Sequence, residues 1–205
     1  MELFIIVLLF GASLIGLTFI IERGLALRWK KVVPPQVEAA VTNCRDTSDL
    51  PMLRRVCEQN PSPLSHLLLL ADKNCEWPRE ENVDSIQTRA RHEIVKLERG
   101  IVILEIVVGI APLLGLVGTI YGLITLFGGM SEAALGDNSN VARGIAIALR
   151  ATLMGLLTAI PSLIAWSYYN KKVETLAVEM ETICDEFLRR QYRGESANTK
   201  PVSKK

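Results

Sequence analysis

Residues 106–131, IVVGIAPLLGLVGTIYGLITLFGGMS, carry no charged side chain and are dense in glycine. A helix advances 1.5 Å per residue, so this stretch crosses the ~30 Å hydrocarbon core of a bilayer with residues to spare. It is too long and too apolar for an ordinary soluble helix. One side of it is also too small to face only lipid, and near its middle sits the hydroxyl of Thr119. The pattern predicts a membrane helix packed tightly against other helices.

Composition alone, with 22% charged and 49% hydrophobic residues, would suit a soluble domain, so the distribution along the chain decides. Residues 3–21 are uncharged, and 151–170 are uncharged with an apolar lead-in over 144–149. Three spans result, at roughly 2–22, 104–128 and 144–169. In 205 residues too little chain remains to bury three such helices in a soluble core. The fold class is an all-α integral membrane protein with three transmembrane helices.

A cleaved signal peptide is the alternative for the first span. Only Glu2 precedes its apolar run, no clear small-x-small site follows, and Arg23, Arg28, Lys30 and Lys31 flank it. An uncleaved anchor with its N-terminus outside fits better. Orientation follows from Lys and Arg near the span ends. Residues 128–140 hold Glu132 and Asp137 and no base, whereas Lys171 and Lys172 follow the third span directly. The expected topology is N-out/C-in, with the second and third helices extending far into the cytoplasm.

The resulting organisation is a first transmembrane helix (1–27), cytoplasmic short helices (28–78), and a long cytoplasmic plus second transmembrane helix (79–128). A periplasmic hairpin (129–140), a third transmembrane helix with a cytoplasmic extension (141–192) and a disordered tail (193–205) complete it. Prolines at 34, 35, 51, 61, 63 and 78 punctuate helices expected at 36–44, 50–59 and 64–74, with Asp49 and Ser62 as caps. Val83, Ile86, Ala90, Ile94 and Leu97 form a 3–4 stripe, as do Val173, Leu176, Met180, Ile183 and Phe187. Gly100 is isolated, so one unbroken helix is expected from about residue 79 to 127.

Small residues concentrate on two faces. Ala111, Gly115, Gly118 and Gly122 recur at helical spacing beside Thr119, and Gly118–Gly122 is a GxxxG pair. Ala148, Thr152, Gly155, Ala159 and Ser162 do the same on the third span. Pro112 and Pro161 are the expected kinks. In an antiparallel pair, Thr119 and Thr152 fall at similar depth, roughly 20–25 Å from the cytoplasmic ends. Two readings compete: ordinary small-residue packing with hydroxyls bonded one turn back, or a narrow pore lined by Thr119, Thr152, Gly115, Gly118, Gly122, Ala148, Gly155, Ala159 and Ser162.

The central parts of the spans hold no Asp, Glu, His or Lys. A proton-coupled machine needs a titratable group at membrane depth, so its carboxylate would have to come from another polypeptide. Arg150 lies nearer the outer edge, about 200° around the helix from Thr152, and is expected to snorkel outwards or pair with Asp137. His66 and His92 lack metal spacing, and Cys44, Cys57, Cys75 and Cys184 match no zinc pattern. The cysteines read as small buried or half-buried side chains. No nucleophile–base pair, phosphate loop or single-sign charge field is visible, which argues against an enzyme, a cofactor or a nucleic-acid partner.

The segments APLLGLVGTIYGL (111–123) and GIAIALRATLMGLLTAIPSLIA (144–165) resemble the ExbB/TolQ/MotA family of ion-channel and stator subunits. Three spans with an N-out start look like its ExbB and TolQ branch. The resemblance implies a homopentamer in the bacterial inner membrane, surrounded by lipids and enclosing helices of a single-span ExbD/TolR-like protein that carries a membrane Asp. It also implies proton-channel function coupled to envelope transport through a TonB/TolA-like protein, and it maps the family's threonines onto Thr119 and Thr152. The chain departs from the family pattern GIAEAL at Ile147, and Arg150 replaces a commonly apolar residue. The rival readings are a structural membrane scaffold, a sodium-driven stator-like unit, or a solute transporter; the last usually shows an internal repeat, and none is visible.

Overall fold

The computed structural model describes residues 2–44, 49–128 and 138–198. Its elements there are all helical: α1 (Glu2–Ala26), α2 (Trp29–Val32), α3 (Pro35–Asn43), α4 (Leu50–Gln59), α5 (Pro63–Lys73), α6 (Arg79–Glu98), α7 (Ile101–Gly128) and α8 (Asn138–Asn198). Three of the described helices, α1, α7 and α8, are long and apolar enough to cross a membrane. The chain divides into two compact units, α1 up to Leu25 with Arg99–Asn170, and Ala26–Glu98 with the chain from Lys171 onward.

In the first unit, α1, α7 and the N-terminal part of α8 meet through small residues. A Cβ on Gly16 of α1 would stand 3.0 Å from Ser162 Oγ and 3.5 Å from Val107 Cγ1. One on Gly122 of α7 would stand 3.0 Å from Ala148 Cβ of α8. Large side chains such as Phe4, Phe10, Leu113, Ile124, Leu153 and Ile164 point away from these contacts and are exposed. A surface this apolar needs lipid or other chains against it. The Tyr169 hydroxyl donates 2.7 Å to the Ile20 carbonyl and ties α8 to α1.

The second unit has a conventional core. Val37 and Val41 from α3, Leu53 and Cys57 from α4, Leu64, Leu67 and Leu68 from α5, and Leu176, Met180 and Phe187 from α8 are buried together. The proline-punctuated helices start and stop within a residue of where the sequence puts them, because proline fits the first turn without losing a hydrogen bond. Ser62 caps α5 as expected, its Oγ accepting from the Ser65 amide at 3.1 Å. Asp49 does not cap α4: its backbone is already helical (φ −89, ψ −11), so its side chain cannot turn back onto the first amides.

Two expectations need correction. The single helix from 79 to 127 is broken at Arg99–Gly100, where α6 ends and α7 begins, and α6 belongs to the second unit. Gly100 has no side chain, and the Arg23 side chain of α1 lies directly where a Cβ would be. Gly100 therefore makes room for a side chain of α1, at the residue where the helix stops. At the other end, α8 runs on through Asn198, beyond the expected stop at 192. The expected hairpin lies outside the described residues as far as 137, as does the tail from 199.

Candidate functional site: a threonine pair between apolar helices

Helices α7 and α8 approach closely because both are reduced to glycine and alanine where they meet. A Cβ on Gly155 would stand 2.6 Å from the Ala111 carbonyl oxygen, and one on Gly115 would stand 2.9 Å from the Ala151 carbonyl oxygen. On Gly118 it would lie 2.6 Å from Ala151 Cβ. Backbone atoms thus form much of the contact, as GxxxG-type packing requires. The small faces read from the sequence are brought together within one chain, and Ala111, Gly115, Gly118, Gly122, Ala148 and Gly155 are spent on that contact.

Thr119 and Thr152 meet within it, both half-buried, with their hydroxyls hydrogen-bonded to each other. Thr119 Oγ1 is also within donating distance of the Gly115 carbonyl (3.2 Å, its own helix) and the Ala148 carbonyl (3.2 Å, across the contact). Thr152 Oγ1 reaches the Gly115 carbonyl at 3.3 Å, again across the contact. Two hydroxyls carry two protons. If one donates to the other, one proton remains to be shared between two carbonyls. The network therefore has more acceptors than donors and can rearrange by rotating hydroxyls alone.

Of the other residues expected at the site, Ala159 is buried, while Ser162 faces Gly16 of α1 and donates 3.0 Å to the Thr158 carbonyl. Pro112 and Pro161 stand inside uninterrupted helices.

Residues 62–182 match the MotA/TolQ/ExbB proton channel family. The Tol-Pal system protein TolQ of Pseudomonas aeruginosa is 30% identical over 193 residues, which covers 87% of this chain and 82% of that protein. This chain belongs to the MotA/TolQ/ExbB proton channel family. The biopolymer transport protein ExbB of Aquifex aeolicus is 32% identical over 105 residues, covering 51% of this chain and 70% of that protein. TolQ of Haemophilus influenzae is 36% identical over 107 residues, covering 51% and 47%. As a member of this family the chain is a multi-pass membrane channel subunit and not an enzyme.

The MotA/TolQ/ExbB match takes in both threonines and runs on into the second unit as far as residue 182. Ile147, where the sequence departs from the pattern GIAEAL, is 43% exposed, one residue from Ala148, which packs on Gly122. Arg150 is exposed as well, and Asp137, its expected partner, lies outside the described residues.

In the second unit the buried residues of α6 are Asn82, Ile86, Ala90 and Glu93. Val83, Ile94 and Leu97 of the expected stripe are only partly buried. The true stripe has the same period but polar ends, which hid it from an apolar count. Asn82 Nδ2 donates to the Ala71 carbonyl (3.0 Å) and to the Tyr192 hydroxyl (3.2 Å). Glu93 Oε1 is held by Arg89 (3.0 Å), Lys96 (3.1 Å) and the His66 ring (3.4 Å). Asp72, also buried, pairs with the exposed Arg54, whose own pKa is raised by that hydrogen bond and the nearby charge.

No disulfide joins the cysteines, of which Cys44, Cys57 and Cys184 are buried and Cys75 half-buried, as the sequence suggested. Burial pushes the Cys57 thiol up to about 11 and the Cys184 thiol up to about 12. Thiols held neutral in this way are poor nucleophiles and poor metal ligands.

Proposed function

We propose that this chain is the pore-forming subunit of a proton-motive-force-driven inner-membrane machine, with α1 entering from outside and the second unit in the cytoplasm. Its relatives are named for the Tol-Pal system and for biopolymer transport, and the same kind of envelope work is assigned here. The subunit acts as a homopentamer around a single-span ExbD/TolR-like helix that carries an Asp at membrane depth. A TonB/TolA-like protein receives the work. Lys171 and Lys172 beyond the third span, against Glu132 and Asp137 in the acidic segment, support the C-in orientation.

The observation that carries this reading is the Thr119–Thr152 pair. It puts two rotatable hydroxyls within the apolar spans, where the chain offers no carboxylate of its own. An ionised carboxylate arriving from a partner helix would accept from a threonine that now donates to its neighbour. On protonation the carboxyl would release that hydroxyl to its carbonyl. The cycle costs one hydroxyl rotation each way and moves no buried charge on this chain. One charge crossing 100 mV supplies ~2.3 kcal/mol, comparable to a charge-assisted hydrogen bond of ~1.5–3 kcal/mol.

That both hydroxyls are already satisfied within the chain favours a second reading, a structural scaffold in which the pair only joins α7 to α8. Proton flux in vesicles holding this chain and its single-span partner separates the two. With Thr119→Val and Thr152→Val combined, loss of flux from an oligomer of unchanged mass supports the channel, and full flux supports the scaffold. Replacing the proton gradient by a sodium gradient in the same vesicles tests the stator-like alternative.

A further inference from the structure

A groove of about 390 Å³ runs in the first unit between α1 and α8. Its walls include Leu9, Phe10 and Ser13 from α1 and Arg150, Met154 and Thr158 from α8. On α8 the lining recurs at spacings of three and four, so it is one continuous face of the helix. The floor is Gly118 and Gly122 of α7, both already covered by alanines of α8. Arg150 is the one charged residue among the described residues that line the groove, and it has no ion-pair partner among them.

Depth identifies what the arginine can meet. From Arg150 to Tyr169 is roughly 28 Å along the helix, about the thickness of the hydrocarbon core. Tyr169 is tied to Ile20, near the C-terminal end of α1. Arg150 therefore stands at headgroup level in the leaflet at the N-terminal end of α1. Thr158 lies roughly 12 Å deeper along α8. Its hydroxyl is satisfied by the Met154 carbonyl at 3.0 Å, so the inner half of the groove offers mostly apolar surface.

We propose that this groove holds one acyl chain of a phospholipid whose phosphate sits on Arg150. A phospholipid has an anion at that depth joined covalently to an apolar tail, and the groove presents a cation at its mouth and an apolar interior. A partner helix fits less well. Close approach of membrane helices needs small residues, and those on the floor are consumed within the chain. The walls carry Phe10, Met154 and Leu157, long or bulky side chains that can follow a flexible tail. The bound lipid fills the space between α1 and the α7/α8 pair and neutralises the charge of Arg150.

The test uses the full-length chain in vesicles of dioleoyl phosphatidylglycerol doped with the same lipid bearing a tail diazirine. After illumination, label is mapped by peptide mass. Label concentrated on residues 10–13 and 154–158, above that at the exposed Ile164, is the expected result. Arg150→Gln should cut labelling in the groove about tenfold and Arg150→Lys should largely keep it, as expected for one charge-assisted contact. Label at Ile164 should not change. Equal groove labelling in Arg150→Gln, groove labelling no higher than at Ile164 in the unaltered chain, or crosslinking of Phe10 to a second polypeptide instead of lipid would each overturn the proposal. The unaltered chain decides the second and third outcomes even if Arg150→Gln does not fold.

Discussion

Thr119 and Thr152 differ from the other described threonines of the long apolar helices in the direction their hydroxyls take. Thr18, Thr125 and Thr158 donate to the carbonyl four residues back in their own helix, the ordinary fate of a membrane threonine. The pair also reaches across a helix contact, where rotation changes which helix is bonded. Thr152→Val alone should leave the oligomer's melting temperature nearly unchanged, since the lost bond is worth about 1 kcal/mol. It should slow proton flux roughly tenfold if one such bond holds the competent state. Flux and thermal stability falling together would mean that the hydroxyl matters for packing alone. Gly155→Ala should behave in the opposite way. Its new methyl would lie 2.6 Å from a backbone oxygen that has no freedom to move aside. The helices must part, at about 1–3 kcal/mol, and the variant should lose thermal stability before any effect on flux can be read. Depth and hydroxyl spacing made the two threonines legible in the sequence. That the hydroxyls bond to each other was not, because a one-dimensional pattern gives the height of a residue and not its rotation about the helix axis.

At the scale of an element, α6 shows how a correct period can identify the wrong residues. Its buried side is Asn82, Ile86, Ala90 and Glu93, two of them polar, with Asn82 donating through its Nδ2 and Glu93 held by basic side chains. Asn82→Ala should destabilise the second unit by about 1–3 kcal/mol, because the Ala71 carbonyl is then buried without a donor. Chemical denaturation followed by far-UV circular dichroism measures this, and a change below about 0.5 kcal/mol would show that water replaces the amide there. The break between α6 and α7 was likewise invisible. A lone glycine in a helical pattern is usually tolerated. What stops the helix at Gly100 is accompanied by a side chain from a helix nearly eighty positions earlier (Arg23 of α1).

For the molecule as a whole, the two units carry different chemistry and respond to different conditions. The central parts of the membrane spans hold no Asp, Glu, His or Lys, and the four cysteines all lie in the other unit. There the folded-state pKa values of Cys57 and Cys184 lie above the ordinary thiol value of 9.0. A raised value means that the folded unit keeps its thiol protons when the unfolded chain has lost them. The associated stability is complete below pH 9 and is lost as pH rises through about 11 and 12. The melting temperature of the full chain should fall above about pH 9, and the fall should be shallower in Cys184→Ala, by up to ~1.4 kcal/mol per pH unit. Parallel pH profiles for the two proteins would show that other groups account for the alkaline loss.

The sequence by itself determined that the chain is helical, that three helices can cross a membrane, where the short helices begin and end, and which two threonines share a depth. These follow from local quantities: the length of an apolar run, the period of small residues, and the fit of proline and serine at helix starts. Only the tertiary structure decided that the glycine faces of α7 and α8 close on each other, that Ser162 turns to α1, that Arg150 opens onto a groove, and that α6 parts from α7. Each of those depends on which helix lies beside which and at what rotation. That is settled by contacts between residues far apart in the chain, for which a single sequence holds no local signal.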